Sequence, residues 1–138
     1  MRRKSWDSVG IRLFKLDYEK VMEELTEYAR EALRKGARAV FLVGSLARGD
    51  YTAFSDADVI VIMDEAAERP MDRIKAFIDP GLSIDVEPRV YTVREIMEMA
   101  REGRRLVREL VSYGKLLAGD GRLMEEVRKA LMESGAGA

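Results

Sequence analysis

Two short, unbroken apolar runs constrain the fold of this chain more than any other feature. They span residues 39–43 and 59–63 and contain no polar side chain. A continuous apolar run of this length is typical of a central strand that is buried on both faces of a sheet. Predicted helices interleave with the predicted strands along the chain. We therefore expect an α/β or α+β fold, in which helices pack on a small mixed β-sheet.

Helical periodicity and capping residues predict most of the remaining elements. Apolar residues at helical spacing predict a first helix over 17–35, with Asp17 as its N-cap. Thr92 and Glu95 form the pattern of a capping box, which predicts a helix over 93–101. The other predicted elements are short helices over 71–77 and around 106–111, a strand over 82–91 with one polar face, a brief strand over 115–117 and a last helix over 121–133.

The length of the chain suits one domain. Its 138 residues are enough to bury a real core and are few for two domains. We find no linker or repeat that would divide it, and expect a single domain over 1–138 with flexible ends at 1–8 and 134–138. Residues 1–16 are ambiguous, and a short edge strand is one interpretation of them.

The absence of cysteine and histidine narrows the chemistry open to this chain. Without cysteine, disulfides, thiolate nucleophiles and zinc–thiolate sites are excluded. Without histidine, the commonest general base and transition-metal ligand is missing. Any metal must then bind to oxygen ligands, which favours Mg²⁺, Mn²⁺ or Ca²⁺. The formal net charge of −1 gives no global basic field for binding nucleic acid.

Asparagine and glutamine are also absent, and charged residues make up 36% of the chain. Loss of labile amides together with enrichment in charged residues is typical of heat-adapted proteins, so we expect a thermophilic source. The N-terminal residues carry no apolar segment of a secretory signal, and no apolar stretch approaches the length of a membrane span. We expect a cytoplasmic protein without a membrane partner.

Asp56 and Asp58, which open the second apolar run, form one half of a candidate site. Residues two apart on a strand leave the same face of the sheet, about 6.5–7 Å apart along the strand. Two carboxylates this close repel each other unless a cation or a proton is shared. A site for Mg²⁺ satisfies this requirement. The alternative interpretation is a simple turn, with Asp58 at an exposed strand end.

A Gly-Ser turn directly after the first apolar run forms the other half. Gly44 lets the backbone approach a ligand closely, and Ser45 can present its hydroxyl and free backbone amides to a phosphate. Arg48 either contacts the same phosphate or pairs with a surface carboxylate, and both interpretations stay open. Ten residues separate Ser45 from Asp56.

A third carboxylate would complete a metal site, and the strand predicted over 82–91 offers two. Asp85 and Glu87 both lie on its polar face. If this strand pairs beside 59–63, both side chains reach the face of the two aspartates. We prefer Asp85, because it lies in the middle of the predicted strand between residues with strong β preference.

This spaced motif resembles the DNA polymerase β-like nucleotidyltransferase superfamily. The fuller pattern GSxARG, five residues, then SDxD and an apolar strand is similar to its small branch, the minimal nucleotidyltransferases (MNT). The resemblance covers about residues 17–118 and implies the fold of that superfamily.

The resemblance also implies an activity, a metal and a partner. It implies that Gly44 and Ser45 hold an NTP, with ATP as the expected donor, and that the three carboxylates bind two Mg²⁺ ions, or Mn²⁺. An NMP unit, expected to be AMP, would pass to a hydroxyl. MNT proteins commonly pair with a helical HEPN protein as antitoxin to toxin, and some add AMP to a tyrosine of that partner. The activity, the metal and the partner are implied by the resemblance alone, and neither composition nor spacing shows them.

Two other functions remain open at this point. One is a non-catalytic antitoxin that neutralises a partner by occlusion, through an apolar patch formed by Leu106, Leu110, Leu117 or Leu131. The other is a nucleotidyltransferase that acts on a small molecule, which the lack of an acceptor domain within these residues disfavours.

Overall fold

A mixed four-stranded sheet with helices on both faces forms the body of the protein. The computed structural model describes residues 16–135. Along the chain, the elements are α1 (Tyr18–Arg34), β1 (Ala37–Val43), α2 (Gly44–Arg48), β2 (Ala57–Met63), α3 (Pro70–Lys75), β3 (Val86–Thr92), α4 (Val93–Arg101), α5 (Arg105–Tyr113), β4 (Lys115–Gly119) and α6 (Arg122–Ser134). The strand order is β3-β2-β1-β4. The expected α/β class and small mixed sheet are confirmed.

The two apolar runs form the central strands β1 and β2, as predicted. These strands are antiparallel to each other, β4 is antiparallel to β1, and β3 runs parallel to β2. Their side chains alternate between two hydrophobic cores. Val40 and Leu42 face the core beneath α1, whereas Phe41 and Val43 face the core formed with α4, α5 and α6. Burial on both faces explains why these segments have no polar side chains.

The predicted caps position the helices that cover the sheet. Asp17 caps α1 by accepting a hydrogen bond from the backbone N–H of Lys20 at 3.2 Å. Thr92 and Glu95 make the reciprocal capping box of α4. Because α4 starts directly after β3, this cap fixes the helix against the end of the strand that carries the third candidate carboxylate.

The leucines proposed for an exposed occlusion patch belong to the cores instead. Leu110 and Leu131 are buried in the core formed with α4, α5 and α6, and Leu117 is buried in the core beneath α1. Leu106 packs against the second core and is partly buried. The interpretation of these four residues as an exposed patch is therefore wrong, and they belong to the packing of α5, β4 and α6 in the two cores.

The predicted strand over 82–91 begins too early. Strand β3 starts at Val86, and Asp85 lies one residue before it. Glu24 of α1 holds the preceding segment, because its carboxylate accepts hydrogen bonds from the backbone N–H of Ser83, at 2.8 Å, and from its hydroxyl. Asp85 is therefore not in the middle of a strand, which removes the reason for preferring it to Glu87.

The other predicted bounds agree with the observed ones to within a few residues. At the C-terminus, Ser134 ends α6 and Gly135 follows with φ of +83°. The ambiguous segment 1–15 and residues 136–138 lie outside the described residues. Among the helices of residues 16–135, none is long and apolar enough to cross a membrane.

Candidate active site

Gly44 and Asp58 are in close contact at one end of the two central strands. Val43 lies opposite Asp58 in the register of β1 and β2, and Gly44 follows with φ of +76°. A Cβ atom at this glycine would lie under 3.0 Å from the carboxylate of Asp58. The Asp58 carboxylate therefore occupies the space that any other residue at position 44 would need. This contact brings together the two halves of the motif.

Hydrogen bonds around Ser55 hold the same two halves together. The hydroxyl of Ser45 donates to the hydroxyl oxygen of Ser55 at 3.1 Å. Ser55 Oγ also accepts from the backbone N–H of Thr52 at 2.8 Å. Because Asp56 follows Ser55 directly, these bonds fix the approach of the chain to the first aspartate. From the sequence, Ser55 is part of the motif, and its interpretation as a turn residue beside Asp56 agrees with its bond to Thr52.

Two buried side chains of helix α2 anchor it against the core, and this anchoring positions the Gly-Ser turn at its start. Leu46 and Ala47 are buried, and Gly49 ends the helix in the left-handed region with φ of +96°. Arg48 leaves the last turn toward solvent. Its Nε atom lies 3.2 Å from both carboxylate oxygens of Asp50, and its Nη1 atom donates to the hydroxyl of Tyr113 at 3.0 Å. The structure thus gives Arg48 the surface ion pair that was its alternative interpretation.

The sheet register places one of the two rival carboxylates directly beside Asp58. Asp58 lies directly opposite Glu87 in the parallel pairing of β2 and β3, so both side chains leave the same face. Asp85 is exposed, as is Glu87, and the backbone carbonyl of Asp85 accepts a hydrogen bond from the N–H of Ala57 at 2.8 Å. The structure therefore brings Glu87 near Asp56 and Asp58, and it leaves Asp85 beside the residue that follows Asp56.

The pKa of Glu87 reflects the proximity of the two aspartates. Its pKa is raised above the ordinary value, first by desolvation, then by the negative charges of Asp56 and Asp58 and by a hydrogen bond to Asp58. Arg89, two residues further along β3, acts in the opposite direction. Carboxylates that raise one another's proton affinity also attract a divalent cation, because a cation relieves the same repulsion.

The donor set fits a hard cation in its chemistry. Among residues 16–135, no three aspartate, glutamate, histidine or cysteine side chains form a ready-made metal-binding group. Glu87 nevertheless lies within electrostatic reach of Asp56 and Asp58, and all three offer only oxygen ligands, which Mg²⁺ and Mn²⁺ prefer. We conclude that these residues fit such an ion once their side chains turn toward it.

Comparison with solved structures supports the fold. A chain of the toxin–antitoxin complex MntA-HpeT, in a mutant form, is 16% identical, with a TM-score of 0.50 over 80% of this chain and 84% of that chain. A toxin–antitoxin with AMP-PNP gives 19% identity and a TM-score of 0.47 over 85% and 86%. A chain of the complex of the tri-AMPylated Shewanella oneidensis HEPN toxin with MNT antitoxin is 16% identical, with a TM-score of 0.46 over 83% of this chain and 84% of that chain.

A family model supplies the identification. No match was found among curated proteins. The model described as the nucleotidyltransferase domain matches residues 22–117, which contain the Gly-Ser turn, both aspartates and Glu87. The matched segment is more than half of the chain and runs from α1 to β4. This chain therefore belongs to the nucleotidyltransferase domain family.

Proposed function

We propose that this protein transfers an NMP unit, namely AMP, from ATP to a hydroxyl group in a reaction that depends on Mg²⁺. The observation that carries the proposal is the contact of Asp58 with Gly44, with Asp56 and Glu87 beside it. In this arrangement the carboxylates lie beside the Gly-Ser turn, which supports a site that holds phosphate and metal together. Membership in the nucleotidyltransferase domain family supports the same activity.

The Gly-Ser turn forms the donor end of the proposed site. The Asp58 carboxylate fills the side-chain space of Gly44, so the turn would offer a phosphate its backbone amides and the Ser45 hydroxyl, which is half-buried at the start of α2. Arg48 can reach the nucleotide only by leaving Asp50 and Tyr113. We therefore assign phosphate binding to Gly44 and Ser45, and expect Arg48 to contribute less.

Asp56, Asp58 and Glu87 would hold the metal, and Asp85 is the rival for the third position. When bound, Mg²⁺ or Mn²⁺ would neutralise the phosphate charge and stabilise the attacking and leaving oxygens. The protein's own contribution is placement, since phosphoryl chemistry of this kind needs little covalent work from side chains. This suits a chain with neither histidine nor cysteine.

The proposed reaction forms one P–O bond and breaks another. The acceptor hydroxyl oxygen attacks the α-phosphorus, the bond to the β-phosphate oxygen breaks, and pyrophosphate leaves. The hydroxyl proton passes to a carboxylate of the site or to water. No oxidant, reductant or further reactant is required.

For the acceptor we propose a tyrosine hydroxyl of a HEPN-type protein, with the chain acting as an antitoxin in the cytoplasm. The motif is similar to that of MNT proteins, and the fold is shared with a chain of the MntA-HpeT complex. The alternative of occlusion without catalysis has lost the exposed leucine patch on which it depended. We further propose that residues 1–138 act as one domain.

Labelled nucleotide tests this proposal. The protein is incubated with Mg²⁺, α-labelled ATP and the protein encoded by the adjacent reading frame, and the label on each protein is measured. We expect labelled acceptor with the wild type and none with Asp56→Ala plus Asp58→Ala. A matched double variant, Asp64→Ala plus Asp72→Ala, removes two aspartates outside the site and should label normally.

Two results together would refute the enzymatic proposal. The wild type would leave the acceptor unlabelled, and the Asp56→Ala plus Asp58→Ala variant would still fully neutralise the neighbouring protein. That pattern would favour a binding module.

A further inference from the structure

A cavity of about 470 Å³ lies at the outer edge of the sheet, next to the candidate active site. Its walls come from β3, α3 and α4, and its lining includes Arg89, Val90, Tyr91, Ile74 and Met99. A volume of this size is within the range of ligand-binding pockets. The carboxylates and turn described above do not line it, so it is a separate feature of the surface.

Arg89 connects the cavity to the carboxylates. It follows Glu87 by two residues on β3, so the two side chains leave the same face of the sheet, about 6.5–7 Å apart along the strand. Arg89 is exposed, lines the cavity and acts electrostatically on Glu87. A molecule in the cavity that contacts Arg89 would therefore reach the edge of the candidate active site.

The direction of the proposed reaction points to the same edge. In-line displacement places the incoming oxygen and the leaving pyrophosphate on opposite sides of the α-phosphorus. The Gly-Ser turn lies at the end of β1, Asp58 lies on β2, and Glu87 lies on β3. If the phosphates are held on the β1 side, an approach of the acceptor from the β3 side, whose residues line the cavity, satisfies this geometry.

The charged side chains that line the cavity indicate the charge pattern of its ligand. Two of its arginines already have carboxylate partners, because Arg73 pairs with Glu95 at 2.7 Å and Arg104 pairs with Glu102 at 2.8 Å. Within the described part of the chain, the remaining charged residues of the lining make no hydrogen bond or ion pair through their side chains. These residues are Arg89, Glu68 and Glu98.

We propose that this cavity binds the acceptor, and that the acceptor is a polypeptide segment with an acidic group near its hydroxyl and a basic residue farther along. Arg89 would bind the acidic group, and Glu68 and Glu98 the basic residue. The unpaired carboxylates disfavour nucleic acid, since they would repel a chain of phosphates. This inference rests on the proposed nucleotidyl transfer and adds to it the site and the charge pattern of the acceptor.

Charge reversal tests the inference with two synthetic peptides. In the first, a glutamate precedes the only tyrosine and a lysine follows three alanines later. In the second, the glutamate and the lysine are exchanged. The initial rate of labelling from α-labelled ATP is measured for both peptides with the wild type, Arg89→Glu and Arg94→Glu. Arg94 is a matched control, because it is an exposed arginine on α4 outside the cavity lining.

We expect the wild type and Arg94→Glu to prefer the first peptide, and Arg89→Glu to shift the ratio of rates toward the second by about tenfold. An exposed ion pair changes an affinity by up to about fivefold, and reversal of one charge replaces the attraction by repulsion. An unchanged ratio in Arg89→Glu would overturn the role of the cavity. Labelling of a single-stranded RNA oligonucleotide in place of either peptide would overturn the polypeptide class.

Binding of a fluorescent ATP analogue, measured in parallel, separates this inference from the proposed function. The analogue should bind equally to all three proteins, since Arg89 lies on the acceptor side. If the wild type binds no nucleotide, the proposed function fails and this inference fails with it. If nucleotide binds normally and neither peptide is labelled, the acceptor inference alone fails.

Discussion

Replacement of Gly44 by alanine tests the contact on which the site depends. Gly44 has φ of +76°, and an alanine in the left-handed region costs about 1–2 kcal/mol. The added Cβ atom would also lie under 3.0 Å from the Asp58 carboxylate. Moving that side chain off its preferred rotamer costs a further ~0.5–1.5 kcal/mol. We expect Gly44→Ala to lower the free energy of unfolding by about 1.5–3.5 kcal/mol.

Gly49→Ala provides the matched control for this substitution. Gly49 also has a positive φ, of +96°, and a Cβ atom there would meet no atom within 4 Å. Only the backbone cost of about 1–2 kcal/mol applies. The two variants thus differ by the displacement of Asp58. Gly44→Ala should lose nucleotidyl transfer, whereas Gly49→Ala should keep it.

Urea denaturation gives the free energy of unfolding of both variants. Transfer from α-labelled ATP is then measured at a temperature where each variant is fully folded, so that unfolding does not mimic a loss of activity. Equal loss of stability and equal retention of transfer in the two variants would refute the reasoning, because it would mean that Asp58 does not occupy the space beside Gly44.

Three further predictions test other parts of the account. Glu87→Gln should abolish nucleotidyl transfer and Asp85→Asn should keep most of it, because Glu87 lies opposite Asp58. The opposite result in the same labelling assay would assign the role of third carboxylate to Asp85. Tyr28→Phe should lower the free energy of unfolding in urea by about 1–2 kcal/mol, because the buried hydroxyl donates to a backbone carbonyl at 2.6 Å; an unchanged midpoint would contradict this. The hydrogen bond from Arg73 lowers the pKa of Glu95, so the stability that this pair contributes is present above the ordinary glutamate pKa of about 4.3 and is lost as the pH falls through the lowered value. Glu95→Gln should therefore flatten the acid side of the stability–pH curve in thermal melts, and an equally steep curve would argue against the pair.

Much of the fold could be predicted because its signals are local. The apolar runs at 39–43 and 59–63 predict the central strands, and the motif between them predicts which strand ends carry the site. The capping box at Thr92 predicts the start of α4 exactly where it lies. Each of these signals depends on a few neighbouring residues and on burial that the sequence pattern itself shows.

Which of Asp85 and Glu87 lies opposite Asp58 could not be predicted, because the pairing depends on a long-range contact. Asp85 and Glu87 have the same parity on a strand, so periodicity does not distinguish them. The choice depends on where β3 begins, and the hydrogen bonds between Glu24 and Ser83 hold the segment before it. The cavity that contains Arg89 is likewise assembled from three elements that are separate in the sequence.

The comparison of α-labelled with γ-labelled ATP tests the central claim most directly. The wild-type protein is incubated with Mg²⁺, its acceptor and ATP that carries the label on one phosphate or the other. If the site transfers a nucleotidyl group, the α-label appears on the acceptor and the γ-label leaves as pyrophosphate. Label on the acceptor from γ-labelled ATP, or from neither, would contradict the assignment of nucleotidyl transfer to Asp56, Asp58 and Glu87.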